Sequence, residues 1–111
     1  MKYTVTPAPS FIRDAKPLLR VFKEMAPILK DYLVAMEEHG AKGDLIPRYG
    51  NLWKDRIAMP PYRIGKSGGW RIVSLVKEEE KTIIPLFLYY KRDKADITEK
   101  EVKAAIRELT S

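Results

Sequence analysis

The segment WRIVSLVKEEEKTIIPLFLYY, residues 70–90, decides the fold. Trp70–Val76 and Thr82–Tyr90 are rich in Ile, Val, Leu and aromatic residues, with Glu78, Glu79 and Glu80 between them. Two such runs around a short polar stretch predict an antiparallel hairpin with a solvated acidic tip. Pro85 lies inside the second run; with no N–H to give to a ladder, it demands an edge position or a bulge. Side chains alternate along a strand, so Trp70 and Ile72 share one face while Arg71 and Val73 share the other. An arginine among apolar neighbours is expected to be paired with an acid or directed into a site.

Upstream, Lys2–Thr6 alternates as a short strand and is stopped by Pro7 and Pro9. From Ser10 to Gly40 the apolar period becomes helical. Phe11, Ala15, Leu18, Leu19 and Phe22 form one stripe; Ile28, Leu29, Tyr32, Leu33 and Met36 form another. The spacing predicts two helices with a break near Ala26, the second opened by Pro27 and ended by Gly40. Pro17 fits the first turn of the first helix if Asp14 is its N-cap, and otherwise kinks that helix. Leu52–Ile57 reads as a further strand. Thr98 and Glu101 have the spacing of a capping box, and Val102, Ala105, Ile106 and Leu109 line one face of a terminal helix. The resulting order, β-α-α-β-β-β-α, is an α+β fold: a small antiparallel sheet with an N-terminal helical hairpin and a C-terminal helix, the helices expected on one side. At 111 residues, without an internal linker, residues 1–111 are expected to form a single domain.

The charge is unevenly placed. The chain carries 21 Lys and Arg against 15 Asp and Glu, a net +6. Residues 42–77 hold eight basic side chains against Asp44 and Asp55, so the whole excess sits there. A concentrated basic third favours a polyanionic partner. The absence of cysteine excludes disulfides and thiolate chemistry, and a single histidine, His39, excludes a two-histidine nuclease or a multi-histidine metal centre. No metal or other cofactor is expected. No apolar run approaches the ~20 residues of a membrane span, and the first residues lack the apolar core of a signal peptide; a cytoplasmic protein is the expectation.

Gly65-Lys66-Ser67 has the ending of a phosphate-binding loop, but Pro60 occupies the position of its first glycine and a strand follows in place of a helix. Nucleotide binding is rejected, and the glycines read as a flexible connection. His39 at a helix end is accounted for by the helix dipole. Trp70 admits two readings, core packing and stacking on a base. Lys91-Arg92-Asp93-Lys94 ends the last strand, where an antiparallel layout brings it toward Lys54, Arg56 and Arg71.

In order and spacing, the chain resembles the RelE/HigB toxins (RelE/ParE superfamily) of bacterial type II toxin–antitoxin modules. The resemblance runs through TPAPSFIRDAKPLLRVFKEMAPILKDYLVAM, LWKDRI, IGKSGGWRIVSLV and LFLYYKRDKADITEKEVKAAI, which together cover nearly the whole chain. Its most specific pieces are GKSGGWR and YYKRDKADIT. The resemblance implies a ribosome-dependent mRNA endoribonuclease that needs no metal. In such an enzyme the ribose 2′-OH attacks the adjacent phosphate, translation stops, and a cognate antitoxin, a helix-turn-helix protein encoded next door, restrains the activity.

Carried onto this chain, the resemblance implies a catalytic set of Lys54, Arg56, Arg71 and Arg92. Like charges disfavour the protonated form of a lysine, which suits Lys54 to the role of base or phosphate holder. Arg71 is a fixed donor to the transition state, and Arg92 holds the phosphate or assists the leaving oxygen. Lys66, Lys91 and Lys94 are expected to contact the RNA backbone. Relatives often place a tyrosine where this chain has Thr98, so acid–base work or stacking is expected to fall to Tyr89, Tyr90 or Trp70. Two alternatives remain: a gyrase-inhibiting toxin of the ParE branch, and a non-catalytic RNA- or antitoxin-binding relative.

Overall fold

A computed structural model describes residues 2–110, and the hairpin of residues 70–90 forms the middle of its sheet. The elements are β1 (Thr4–Val5), α1 (Pro9–Val21), α2 (Ala26–His39), β2 (Asp44–Leu45), β3 (Leu52–Ile57), β4 (Trp70–Lys77), β5 (Thr82–Tyr90) and α3 (Glu99–Leu109). The strand order is β1-β5-β4-β3-β2, antiparallel throughout except that β1 runs parallel to β5. No described helix is long and apolar enough to cross a membrane.

Pro85 is accommodated by a bulge. Ser74 pairs with Pro85 and Val73 with Phe87, so Leu86 is the extra residue on β5. Ile84, Leu86 and Phe87 consequently belong to the same core cluster, on the α3 side of the sheet.

Four expectations need correction. The first strand is shorter than Lys2–Thr6, because the Lys2 and Tyr3 N–H groups both donate to the Glu37 carbonyl at the end of α2 (2.9 Å each) in place of a ladder. Asp14 is not an N-cap: α1 starts at Pro9, and the Asp14 carboxylate accepts from the Leu88 N–H at 3.1 Å. Pro17 lies within α1 on its exposed side, where the Arg13 carbonyl that loses its partner is open to water. Third, β2 was not anticipated. Gly43, at φ 93°, lets it approach β3 so closely that a Cβ there would lie 2.2 Å from the Lys54 carbonyl oxygen.

The fourth concerns layering. The helices cover both faces. α1 and α2 pack Phe11, Ala15, Leu29 and Met36 against Ile57, Trp70, Ile72 and Leu88. α3 packs Val102 and Ala105 against Leu52, Val73, Leu75 and Phe87 on the opposite face. β4 and β5 are therefore buried on both sides, which is why they are almost continuously apolar. The capping box of α3 is formed: Thr98 Oγ1 accepts from the Glu101 N–H at 3.1 Å, and Glu101 Oε1 accepts from the Thr98 N–H at 2.9 Å.

Candidate active site

On the α3 side, the register sets Arg56 opposite Arg71 and Arg71 opposite Tyr89. Lys54, two residues before Arg56, shares that face. These four side chains, with Lys91, Ser67, Ala95, Asp44 and Asp55, line a cleft of about 390 Å³. The Asp55 carboxylate is occupied by the Tyr32 hydroxyl of α2. Cations therefore dominate the cleft.

Arg71 is its fixed point. It is only 7% exposed, and no carboxylate lies within ion-pair distance of it among the described residues. Its guanidinium instead donates to main-chain carbonyls, from Nη1 to Lys66 (2.8 Å) and from Nη2 to Ser67 (3.0 Å). Those carbonyls belong to a single 3₁₀ turn, Lys66–Gly68. Gly69 closes the turn against β3: a Cβ there would lie 2.2 Å from the Ile57 carbonyl oxygen. The glycines expected to make a flexible connection thus include a close-packed one. A buried cation needs an opposing charge or a full set of hydrogen bonds. Arg71 has part of the second and lacks the first.

Asp96, which sequence reasoning passed over, completes the cleft rim. Its Oδ1 accepts from Lys54 Nζ (3.2 Å), the Tyr89 hydroxyl (3.3 Å) and the Ile97 N–H (2.8 Å). Burial works to raise this carboxyl, but the Ile97 N–H and the Lys54 ammonium outweigh it and hold the group below the usual carboxylate value. Tyr89 is pushed up to about 12, by burial first and then by the Asp96 charge, while Arg71 pulls the other way. At neutral pH it is a phenol with a proton to donate. The signal for Asp96 was an acid inside the basic run KRDKAD, directly after the strand.

Of the residues singled out from sequence, Lys54, Arg56, Arg71, Tyr89 and Lys91 come together. Lys91 Nζ donates to the Ala95 carbonyl at 3.0 Å, which folds the turn over the cleft. Arg92 is exposed beside Gly68 and does not line the cleft. The Lys66 side chain also stays outside, and its carbonyl is what the site uses. Lys94 is directed to another cavity, between α1 and α3, and pairs with Glu101.

Two stacking candidates are corrected outright. Trp70 is fully buried beneath the helical hairpin, edge-on to Phe22 with ring centroids 6.3 Å apart. Tyr90 packs on the same phenylalanine at 5.1 Å. Both lie on the face opposite the cleft, so neither can reach a base there.

The family model described as the RelE toxin of the RelE / RelB toxin-antitoxin system matches residues 19–111. Among solved structures, the chain is similar to Escherichia coli toxin RelE in the free state, a double arginine-to-alanine mutant. The TM-score is 0.55 at 15% identity, covering 98% of this chain and 99% of that one. The isolated E. coli RelE toxin gives a TM-score of 0.54 at 16% identity, covering 95% of this chain and 97% of that one. No curated protein matches the chain. At these identities the structural likeness is one of fold.

Proposed function

The chain belongs to the RelE family of toxins of toxin–antitoxin systems, whose members have an antitoxin partner, and on that premise we propose that residues 1–111 act as one cytoplasmic toxin domain that cleaves messenger RNA on the ribosome. The observation that carries this reading is Arg71: a nearly buried guanidinium in a cationic cleft, held in place by main-chain carbonyls and without a carboxylate partner among the described residues. Such a group is preorganised for an anion whose charge grows during reaction.

The chemistry is transesterification. The ribose 2′ oxygen attacks the adjacent phosphorus, the bond to the 5′ oxygen breaks, and the products are a 2′,3′-cyclic phosphate and a 5′ hydroxyl. Arg71 and Arg56 hold the non-bridging oxygens, and Lys54 joins them when phosphate displaces it from Asp96. The 2′-OH proton passes to the Asp96 carboxylate, which Lys54 leaves free when it moves to the phosphate. The protonated Tyr89, hydrogen-bonded to Asp96, supplies the proton that the 5′ oxygen needs on leaving. Lys91 and, outside the cleft, Arg92 contact the flanking backbone. A ribosome supplies the RNA orientation that a cleft of Lys and Arg cannot enforce alone. The restraining partner is proposed to be a helix-turn-helix antitoxin that presents an acidic segment to this cleft.

Induction of the protein without its antitoxin should arrest growth, and purified protein should cut mRNA on programmed ribosomes. Arg71→Ala should relieve both, as should Arg71→Gln, which keeps amide donors for the turn carbonyls while removing the charge. Full toxicity in both variants would sink the assignment. Intact transcripts accompanied by DNA damage would move the function to gyrase inhibition.

A further inference from the structure

Beside the cationic cleft lies a second cavity, of about 350 Å³, between the segment joining β2 to β3 and the start of α3. Ile46, Pro47, Tyr49, Ile97 and Val102 give it an apolar wall, the paired Arg48 and Glu99 give it a charged but neutralised edge, and Lys54 belongs to both cavities. Lys54 and its partner Asp96 thus stand at the boundary between a charged compartment and an apolar, aromatic one. Tyr49 is half-buried against the cluster under α3, which fixes its ring with little entropy left to lose. The hydrogen bonds from Lys54, Tyr89 and Ile97 all fall on Asp96 Oδ1, which leaves Oδ2 as an acceptor at this boundary.

A phosphate next to a flat ring is the repeating unit of RNA, and three of its four bases add an exocyclic amine, so the two compartments match a nucleotide part for part. We infer that the second cavity takes the nucleobase attached to the phosphate held in the cleft, with Tyr49 as its stacking surface and Asp96 Oδ2 as acceptor for an exocyclic amine. Stacking on a tyrosine tolerates every base, whereas a carboxylate acceptor favours cytosine, adenine or guanine over uracil. Tyr49 is therefore a binding residue and Asp96 a discriminating one. The inference rests on the RNA-cleaving reading of the cleft and adds to it a base preference.

Amide NMR titration of the full chain separates the two. Inorganic phosphate and ribose 5-phosphate should shift resonances around Lys54 and Arg71. The 3′-monophosphates of cytidine and uridine should in addition shift Tyr49, Ile97 and Val102. The cytidine compound should bind about five-fold or more tightly than ribose 5-phosphate, and more tightly than the uridine one. Tyr49→Leu, which keeps an apolar side chain in the cluster, should abolish the advantage over ribose 5-phosphate without changing the affinity for phosphate. Tyr49→Phe should retain it. Equal shifts and affinities for nucleotide and ribose 5-phosphate would overturn the inference and leave the cleft reading intact. So would a Tyr49→Leu variant that loses phosphate as readily as nucleotide, since the ring would then be structural. No response to phosphate at all removes the cleft reading, and the inference with it.

Discussion

At the Gly69 end of the sheet the two faces carry opposite chemistry one residue apart. Trp70 and Tyr90 meet Phe22 on the side of the helical hairpin. Arg71 and Tyr89 look the other way, into the cleft. The same two strands thus supply a hydrophobic anchor and a charged site, and pleat parity alone decides which residue does which. The anchor also serves the site: a fully buried Trp70 fixes the backbone from which Arg71 projects, so its contribution to function is made through position.

The contrast can be broken from either side, and the largest effect is expected at the anchor. Trp70→Ala should destabilise the fold by about 3–5 kcal/mol, measured by denaturant unfolding, and Trp70→Phe should keep its toxicity. If Trp70→Phe folded but lost RNA cleavage specifically, the division of labour would be wrong. Next comes Arg71→Gln, expected to lower cleavage on ribosomes by about 10²–10³-fold with a far smaller change in unfolding midpoint than Trp70→Ala.

Tyr89 sharpens the comparison further. Ultraviolet titration should find Tyr89 ionising near pH 12 in place of its usual value of 10, and Asp96→Asn should bring it only part of the way down, because burial remains. A folded-state value raised in this way contributes stability that is complete below pH 10 and lost as the pH climbs toward 12. Tyr89→Phe should therefore flatten that part of the alkaline unfolding curve. An unchanged curve would remove Asp96 and burial as the causes. The smallest effect belongs to Lys94, whose pair with Glu101 is partly exposed. Lys94→Ala should cost within about 1 kcal/mol and leave cleavage nearly unaltered. A large loss of cleavage would return this lysine to the site.

Much of the architecture was legible because it rests on local rules. The hairpin, the break before Pro27, the Thr98 capping box and the demand that Pro85 makes for a bulge all follow from a few neighbouring residues. The missed features depend on distant partners. Helices on one side only seemed sufficient for a small sheet, yet the unbroken apolar runs of β4 and β5 already signalled cover on both faces. Arg71 could be singled out by its apolar flanks, and Lys54 and Arg56 by local charge. Asp96 left only a faint sign, an acid closing the basic run after β5, since its role appears only when that turn is laid against β3. For Trp70, alternation along β4 already set it opposite Arg71, and its core reading holds; Tyr90 was misassigned as a base-stacking group for a related reason. The parity of a bulged strand cannot be counted until the position of the extra residue is known.

Leu86 shows what that one residue decides. Were β5 regular from Ile84 onward, Leu88 and Tyr90 would share its face, and Tyr89 would be turned toward the helical hairpin. The inserted leucine works as a frameshift in three dimensions, rewriting the inside–outside code for every residue after it. A proline that looks like a flaw in a strand is therefore tied to the identity of the phenol beside Arg71. Drawing Leu86 into a regular ladder would exchange the two tyrosines without altering either one, whereas deleting it would leave both where they are.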